Sequence, residues 1–213
     1  MYTLYYYPGN ANLAPHMVLE EIGAPYALEL IDRTKNLHKA DEYLRLNPSG
    51  RIPVLIDGDL VLFETAAICL HLVDRHPQAN LAPAMGSNAR SHFYKWLVYL
   101  TNTLQAELVI YFYPDRLTGD QATAAVVKKH AEEHVGGMLE ILDRQLGESG
   151  GPWLLGAQYT AVDPYLLMLG RWTRGMDKPA RTYPRLGPYL DAIAARPAVQ
   201  RAFEQEGLKL PLY

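Results

Sequence analysis

The stretch NPSGRIPVL at residues 47–55, followed by FET at residues 63–65, decides the fold of the N-terminal part of this chain. Because the residue before a proline is pushed out of the helical region, Ile52 is extended ahead of Pro53. A cis bond between these two residues would bend the chain tightly and leave the N–H and C=O of Ile52 unpaired within a sheet. The stretch therefore predicts an edge that can bind an extended peptide through the main chain of Ile52.

A helix start follows this edge. The sequence DGD at residues 57–59 turns a hairpin, residues 61–63 finish its second strand, and Glu64 and Thr65 open a helix over residues 66–76. The first N–H groups of a helix have no partners inside the helix, so they can bind a carboxylate. The alternative is an ordinary hairpin that leads into a helix, with Glu64 and Thr65 as capping residues only.

The pattern before the hairpin predicts an α/β unit. Strands over residues 3–6 and 26–31 alternate with helices over residues 12–22 and 39–46, and Gly23 ends the first helix. Together with the hairpin and its helix, these elements make a βαβαββα unit over residues 1–77.

The pattern after the hairpin predicts a second, all-helical domain. Residues 78–86 contain prolines and a glycine without periodic hydrophobicity, which indicates a linker. Long amphipathic runs over residues 87–111 and 121–146, and shorter helices to residue 206, place the helical domain over residues 87–213. Within it, Thr160 and Asp163 are spaced as a capping box. In such a box Thr160 accepts the N–H of Asp163, and the Asp163 carboxylate accepts the N–H of Thr160.

Composition excludes several classes of function. The formal net charge is −3 and the charges are interspersed, so neither nucleic acid nor an anionic membrane is the expected partner. The single cysteine, Cys69, excludes an intrachain disulfide framework and indicates a reducing compartment such as the cytoplasm. It lies among alanine, isoleucine and leucine and is expected to be a small buried hydrophobe. Neither a signal peptide nor a membrane-spanning stretch is evident.

The order of these elements, with Ile-Pro, the hairpin and a Glu-Thr helix start, resembles the thioredoxin-like domain of glutathione transferases. The spacing of Thr160 and Asp163 is similar to the capping motif in the helical domain of the same family. The resemblance implies glutathione as co-substrate and no metal or flavin. It also implies that Ile52, before a cis-Pro53, pairs with the cysteinyl backbone of glutathione, while Glu64 and Thr65 hold the γ-glutamyl end.

Within the family, the segment YYPGNANLAPH at residues 6–16 is most similar to the bacterial beta class. That class has a cysteine and a serine at the start of the first helix, where this chain has Ala11 and Asn12, so a mixed disulfide with glutathione is not expected here. Gln105 stands where the class has a histidine near the thiol, and by this resemblance it is expected to be a glutathione-binding residue. Val98 stands where the class offers an asparagine to the glutathione of the neighbouring subunit. The resemblance also implies a homodimer.

Without a cysteine, other groups must stabilise the glutathione thiolate. Lowering a thiol pKa from about 8.5 by about two units requires about 2.7 kcal/mol. A helix N-terminus contributes about 0.3–1 kcal/mol and a hydrogen bond to a charged group about 1.5–3 kcal/mol. The candidates are the side-chain amides of Asn10 and Asn12, a backbone N–H near Ala11, and Tyr6. The alternatives are that Asn12 is a helix cap and that Tyr6 belongs to the core.

Two further groups of residues are candidates for substrate contacts. Lys35 and Arg51 could bind the glycine carboxylate of glutathione, or be solvated surface charges. A small hydrophobic electrophile is expected over the first-helix turn, against a largely aromatic set of side chains, and the alternative is that these rings only pack the helical bundle. The set is Gln105, Tyr111, Phe112, Tyr113, Arg171 and Trp172.

The sequence therefore predicts a cytoplasmic glutathione transferase that activates the glutathione thiol for attack on a hydrophobic electrophile. One alternative keeps the glutathione site but changes the reaction to isomerisation, ether cleavage or peroxide reduction. The other is a non-catalytic binding or regulatory protein of the same fold.

Overall fold

The computed structural model describes residues 1–208, which form two compact units. Among the described residues, the first unit comprises Met1–Ala82 together with residues 194–208, and the second comprises Pro83–Ile193. The α/β part of the first unit has strands and helices in the predicted order βαβαββα. In chain order these are β1 (Tyr2–Tyr6), α1 (Leu13–Ile22), β2 (Tyr26–Leu30), α2 (Asp41–Leu46), β3 (Val54–Asp57), β4 (Leu60–Phe63) and α3 (Thr65–Arg75).

These strands form one mixed sheet in the order β2-β1-β3-β4. β1 is parallel to β2 and antiparallel to β3, which is antiparallel to β4. Leu4, Val54 and Leu55 are fully buried, and α1 packs against α3. Gly23 ends α1 as predicted, with a φ of 70° and its N–H bonded to the carbonyl of Leu19.

The longer secondary-structure elements of the second unit are all helices. Its helices are α4 (Asn88–Val98), α5 (Ala106–Phe112), α6 (Gln121–Glu148), α7 (Val162–Trp172) and α8 (Leu186–Ala194), the last of which ends at the unit boundary. The predicted single run over residues 87–111 is interrupted by a π-helical segment, Tyr99–Gln105, between α4 and α5. No proline or glycine lies in that segment, so composition did not indicate the interruption.

Helix α9 (Pro197–Gln205) packs against α1 and groups with the first unit. The sequence pattern placed it in the helical domain, because its apolar face does not reveal which domain covers it. Ala198, Val199, Ala202 and Phe203 form that buried face. The extent of the two compact units therefore differs from the predicted division at the C-terminal end.

Half of the predicted capping box is present at the start of α7. The Asp163 carboxylate accepts the N–H of Thr160 at 2.6 Å, and it also accepts the N–H of Leu154 at 3.1 Å and the Tyr189 hydroxyl at 2.7 Å. The other half differs, because the N–H of Asp163 binds the Thr160 carbonyl and the Thr160 hydroxyl donates to the carboxylate. Complete burial raises the pKa of Asp163 to about 6.

Within residues 1–208, no helix is long and apolar enough to cross a membrane.

Candidate functional site

The Ile52–Pro53 peptide bond is cis, and the segment before it is held in place by two side chains. The Tyr43 hydroxyl and the Asn47 amide nitrogen donate to the carbonyl of Arg51 at 2.8 and 2.7 Å. Asn47 is 2% exposed and also accepts the N–H of Ser49 at 3.0 Å. In the part of the chain that the structure describes, neither the N–H nor the C=O of Ile52 has a hydrogen-bond partner. A rigid loop thus presents these two groups, as the sequence predicted for a cis bond.

Helix α3 begins beside an unusual backbone conformation. Glu64 has a φ of 73°, a region that L-residues other than asparagine and aspartate rarely adopt, and its side chain is exposed. Thr65 is buried, and the first intrahelical bond of α3 runs from the Ile68 N–H to the Glu64 carbonyl. The N–H groups of residues 65–67 precede this bond, so they are available to an anion.

The strand registers bring these features to one end of the sheet. Val54 is opposite Phe63 across the hairpin, so Ile52 and Pro53 lie next to the start of α3. Val54 is also opposite Tyr5 of β1, so the end of β1 at Tyr6 lies on the other side of Pro53. The peptide edge, the helix start and the loop from β1 to α1 therefore adjoin one another.

The three candidate residues in the loop into α1 differ in the hydrogen bonds that they make. Asn12 is fully buried, its Oδ1 accepts the N–H of Tyr7 at 3.1 Å, and its Nδ2 donates to Glu206 at 2.8 Å. The N–H of Ala11 is bonded to Oδ1 of Asn10 at 2.8 Å. Asn10 is half-buried, and among the described residues its Nδ2 has no acceptor. Asn12 and the Ala11 N–H thus serve the loop itself, whereas none of these bonds uses the Asn10 amide nitrogen.

Glu206 holds this loop from the far end of the chain, and sequence reasoning did not identify it. Its side chain is fully buried and accepts from the N–H of Gly9 at 2.7 Å, from Asn12 Nδ2 at 2.8 Å and from His16 Nδ1 at 2.8 Å. His16 is fully buried as well. Nothing in the local sequence around Glu206 signals this role, because its partners lie 190 or more residues away in sequence.

Tyr6 is half-buried at the end of β1. Burial, and then the negative charge of Glu206, raise the pKa of its hydroxyl above the ordinary value. A phenol with a raised pKa keeps its proton at neutral pH, so Tyr6 can donate a hydrogen bond to an anion. The structure thus leaves Tyr6 suited to a donor role.

Two basic residues, Lys35 and Arg51, were predicted to bind the glycine carboxylate. The Nζ of Lys35 lies 3.3 Å from an Asp32 oxygen, and the side chain of Lys35 is 75% exposed. Arg51 is exposed and directly precedes Ile52. Sequence reasoning did not select Lys39, yet its Nζ donates to the Ser49 carbonyl at 3.3 Å, and it would lie 2.7 Å from a Cβ added at Gly50. The sequence feature that could have indicated Lys39 is Gly50, which has a φ of +59° and leaves room for the lysine side chain.

Four of the six residues predicted to bind the electrophile form an aromatic cluster in the second unit. The Phe112 ring makes aromatic contacts with Tyr111, Tyr113 and Trp172 at centroid distances of 5.3, 6.5 and 6.2 Å. Tyr111 is buried and donates to the Gly175 carbonyl at 3.3 Å, whereas Phe112 is 43% exposed. Arg171, next to Trp172 on α7, is half-buried. Phe112 is therefore the accessible ring of a packed aromatic cluster.

Gln105 is the last residue of the π-helical segment. The hydroxyl of the buried Tyr165 donates to its Oε1 at 2.5 Å. This bond orients the carboxamide so that Nε2 is the end free to act as a donor. Cys69, the single cysteine, is fully buried in α3, and burial raises the pKa of its thiol.

Comparison with known proteins agrees with this architecture. The family profiles described as "Glutathione S-transferase, N-terminal domain" and "Glutathione S-transferase, C-terminal domain" match residues 1–74 and 110–206. The glutathione S-transferase GstA of Escherichia coli O157:H7 is 29% identical over 208 residues, which cover 97% of this chain and 99% of that protein.

Solved structures match over nearly the whole chain. A glutathione S-transferase from Xylella fastidiosa has a TM-score of 0.90 at 28% identity and covers 98% of this chain and 100% of its own. A sphingomonad glutathione S-transferase complexed with glutathione has a TM-score of 0.83 at 34% identity, with coverage of 97% and 100%. A bacterial beta-class glutathione S-transferase from Sphingomonas chungbukensis has a TM-score of 0.83 at 33% identity, with the same coverage of 97% and 100%. These likenesses confirm the predicted fold and family, and the chain belongs to the glutathione S-transferase family.

Proposed function

We propose that this protein catalyses attack of the glutathione thiolate on a hydrophobic electrophile. The observation that carries the proposal is the unpaired main chain of Ile52, next to the N–H groups at the start of α3 that precede its first intrahelical bond. An extended peptide with a free carboxylate is the ligand that such a pair of features fits. Glutathione is that kind of peptide, and a family relative has been solved in complex with it.

In this proposal each part of glutathione has a counterpart in the first unit. The cysteinyl N–H and C=O pair with the main chain of Ile52. The γ-glutamyl carboxylate binds the N–H groups at residues 65–67 and the Thr65 hydroxyl, and the Glu64 carboxylate accepts from the γ-glutamyl ammonium group. The glycine carboxylate is bound by Arg51, which directly precedes Ile52, and by Lys39, whose Nζ donates to the Ser49 carbonyl in the same loop. Lys35 is a less favourable candidate, since Asp32 already neutralises it.

The thiolate is stabilised by Tyr6 and the Asn10 amide in this proposal. Each would donate a hydrogen bond to the anion, and each such bond contributes about 1.5–3 kcal/mol. Two of them exceed the approximately 2.7 kcal/mol that a shift of two pKa units requires. Asn12 and the Ala11 N–H take no direct part, since their bonds hold the loop in shape. They act as positioning groups.

The electrophile is assigned to the aromatic cluster of the second unit. Phe112 offers an exposed ring for stacking, and Arg171 and Gln105 supply polar groups for a substituent or leaving group that gains negative charge. Tyr111, Tyr113 and Trp172 support the Phe112 ring. This set favours an aromatic or otherwise apolar substrate.

A calorimetric titration with glutathione tests the binding site. We expect Glu64→Gln to weaken binding about tenfold or more, because it removes a charged acceptor for the ammonium group of glutathione. Asp59→Asn, an exposed substitution in the same hairpin, is the matched control and should leave the affinity unchanged. A folded wild type that shows no heat of binding at millimolar glutathione would overturn the proposal.

Turnover tests the reaction class. We expect the enzyme to conjugate an aromatic halide and to be inhibited by S-alkyl glutathione. A panel of isomerisation, ether-cleavage and peroxide substrates separates the reactions that share one thiolate. Glutathione binding with turnover of none of these substrates would favour the non-catalytic reading instead.

We further propose a homodimer and a cytoplasmic location. Met85, Tyr94 and Val98 expose apolar side chains in the second unit, at 72%, 38% and 52% exposure, and such patches mark association sites. Val98→Glu should therefore shift the sedimentation coefficient from that of a dimer toward that of a monomer. The location rests on Cys69 being a free, buried thiol.

A further inference from the structure

We propose that His130 and His134, on the exposed face of α6, form a binding site for a divalent late transition-metal ion such as Cu²⁺ or Ni²⁺. The two residues are four apart on one helix, which places their side chains on the same face. Their rings stack at a centroid distance of 5.3 Å with an interplanar angle of 24°. Imidazole is a preferred ligand for these ions, and two ligands on a preformed helix need no backbone rearrangement.

A carboxylate oxygen lies near Nδ1 of each ring. His134 Nδ1 is hydrogen-bonded at 3.3 Å to Glu107 Oε1, which belongs to the neighbouring helix α5, and His130 Nδ1 approaches Glu133 Oε2 at 3.5 Å. A histidine that donates Nδ1–H to a carboxylate carries its lone pair on Nε2. Carboxylate partners of this kind are the usual second layer around metal-bound histidines. Nε2 is therefore the nitrogen of each ring that we assign to the ion.

The spacing of the rings suits a shared ion. Ligand nitrogens lie about 2.0–2.1 Å from Zn²⁺, so two rings on one ion have centroids about 5 Å apart. The side chains of His130 and His134 are 73% and 58% exposed, so small changes of rotamer can bring the Nε2 atoms together. Across residues 1–208 no group of three or more His, Cys, Asp or Glu side chains is arranged to hold a metal ion. The proposed ion therefore has two protein ligands, and water completes its coordination.

The other histidines of the chain are placed differently. His16 is buried against Glu206, His71 pairs with Asp57, and His76 bonds Tyr2. His130 and His134 are the one pair of histidines four residues apart in the sequence. None of the residues at the metal site belongs to the proposed glutathione site, so the two sites can be tested separately.

The test is isothermal titration of tag-free protein with Cu²⁺ and Ni²⁺, with Mg²⁺ as the control ion. We expect one strong equivalent of Cu²⁺, weaker Ni²⁺ and no Mg²⁺ binding, following the order of divalent affinities for nitrogen ligands. Each of His130→Gln and His134→Gln should weaken Cu²⁺ binding by about two orders of magnitude, because the second ligand binds intramolecularly. His92→Gln, an exposed single histidine, should change nothing.

A second readout addresses the carboxylates. Glu107→Gln should weaken Cu²⁺ binding by about 10- to 100-fold while leaving both imidazoles in place. Electron paramagnetic resonance of the Cu²⁺ complex should show two nitrogen ligands in the wild type and one in either histidine variant. Equal Cu²⁺ affinity and identical spectra for wild type, His130→Gln and His134→Gln would overturn the proposal.

Discussion

Replacing Glu206 with alanine should destabilise the protein by about 2–6 kcal/mol, because two fully buried donors would each lose their acceptor. The structure supplies the reason. The Glu206 carboxylate is fully buried and accepts three hydrogen bonds, from Gly9, Asn12 and His16. Alanine would remove this acceptor from two fully buried donors, Asn12 Nδ2 and His16 Nδ1, and each unsatisfied buried donor costs about 1–3 kcal/mol.

Urea denaturation followed by circular dichroism measures this free energy of unfolding. Glu204→Ala is the matched control, because Glu204 lies on α9 with an exposed side chain, and we expect a change within about 0.5 kcal/mol. Glu206→Gln should give an intermediate loss of about 1–3 kcal/mol. Its remaining oxygen can still accept from Asn12 and His16, whereas its NH₂ group opposes the N–H of Gly9.

A loss below about 1 kcal/mol for Glu206→Ala, less than a single buried unsatisfied donor costs, would refute the reasoning. It would mean that water satisfies the three donors or that the loop into α1 does not depend on this carboxylate.

Three further predictions concern the thiolate, pH and the peptide edge. Tyr6→Phe should raise the thiol pKa of bound glutathione by about 1–2 units, because one hydrogen bond to the charged thiolate is lost. Ultraviolet titration of the thiolate measures this pKa. An unchanged pKa, or an equal shift in Tyr5→Phe, would exclude Tyr6 as the donor. The folded-state pKa of Asp163 is raised from 3.8 to about 6 by burial. The folded state therefore binds more protons than the unfolded state, and this contribution to stability, present below about pH 4, is lost as pH rises through 6. Unfolding of wild type relative to Asp163→Asn should show a fall of about 3 kcal/mol over that window, and parallel pH profiles would contradict it. Gly50→Ala should destabilise the protein more than Gly58→Ala: both glycines have a φ of +59°, but an added Cβ at Gly50 meets the His38 carbonyl at 2.9 Å whereas at Gly58 it meets nothing within 4 Å. Equal losses in thermal unfolding would show that only backbone conformation matters there.

Local signals were sufficient wherever a feature depends on a few neighbouring residues. Ile52 before Pro53, the hairpin turn and the glycine that ends α1 were all predicted from residue types, because proline and glycine restrict or widen backbone freedom at their own position. The order of elements in the first unit followed from the same signals and from the period of apolar residues.

Other features depended on packing between distant segments. Asn12 was a candidate donor for the thiolate by sequence, but its amide is used internally because Glu206 and Tyr7 are brought against it. The π-helical segment that ends at Gln105 lies in a run of ordinary helix-forming pattern. Amphipathicity could not reveal either arrangement, since it reports that a face is buried and not which element buries it.

Residue types within a few positions of one another specified the α/β unit, the Ile52–Pro53 edge and the helix start at Glu64 and Thr65. Packing between distant segments settled which polar groups near that edge already have partners. The Asn12 amide donates to Glu206, which lies 194 positions away, so this amide is not available to a ligand, and Tyr6 and Asn10 are the donors that we propose for the thiolate. A buried hydrogen bond is satisfied by whichever group packing brings close, regardless of distance along the chain.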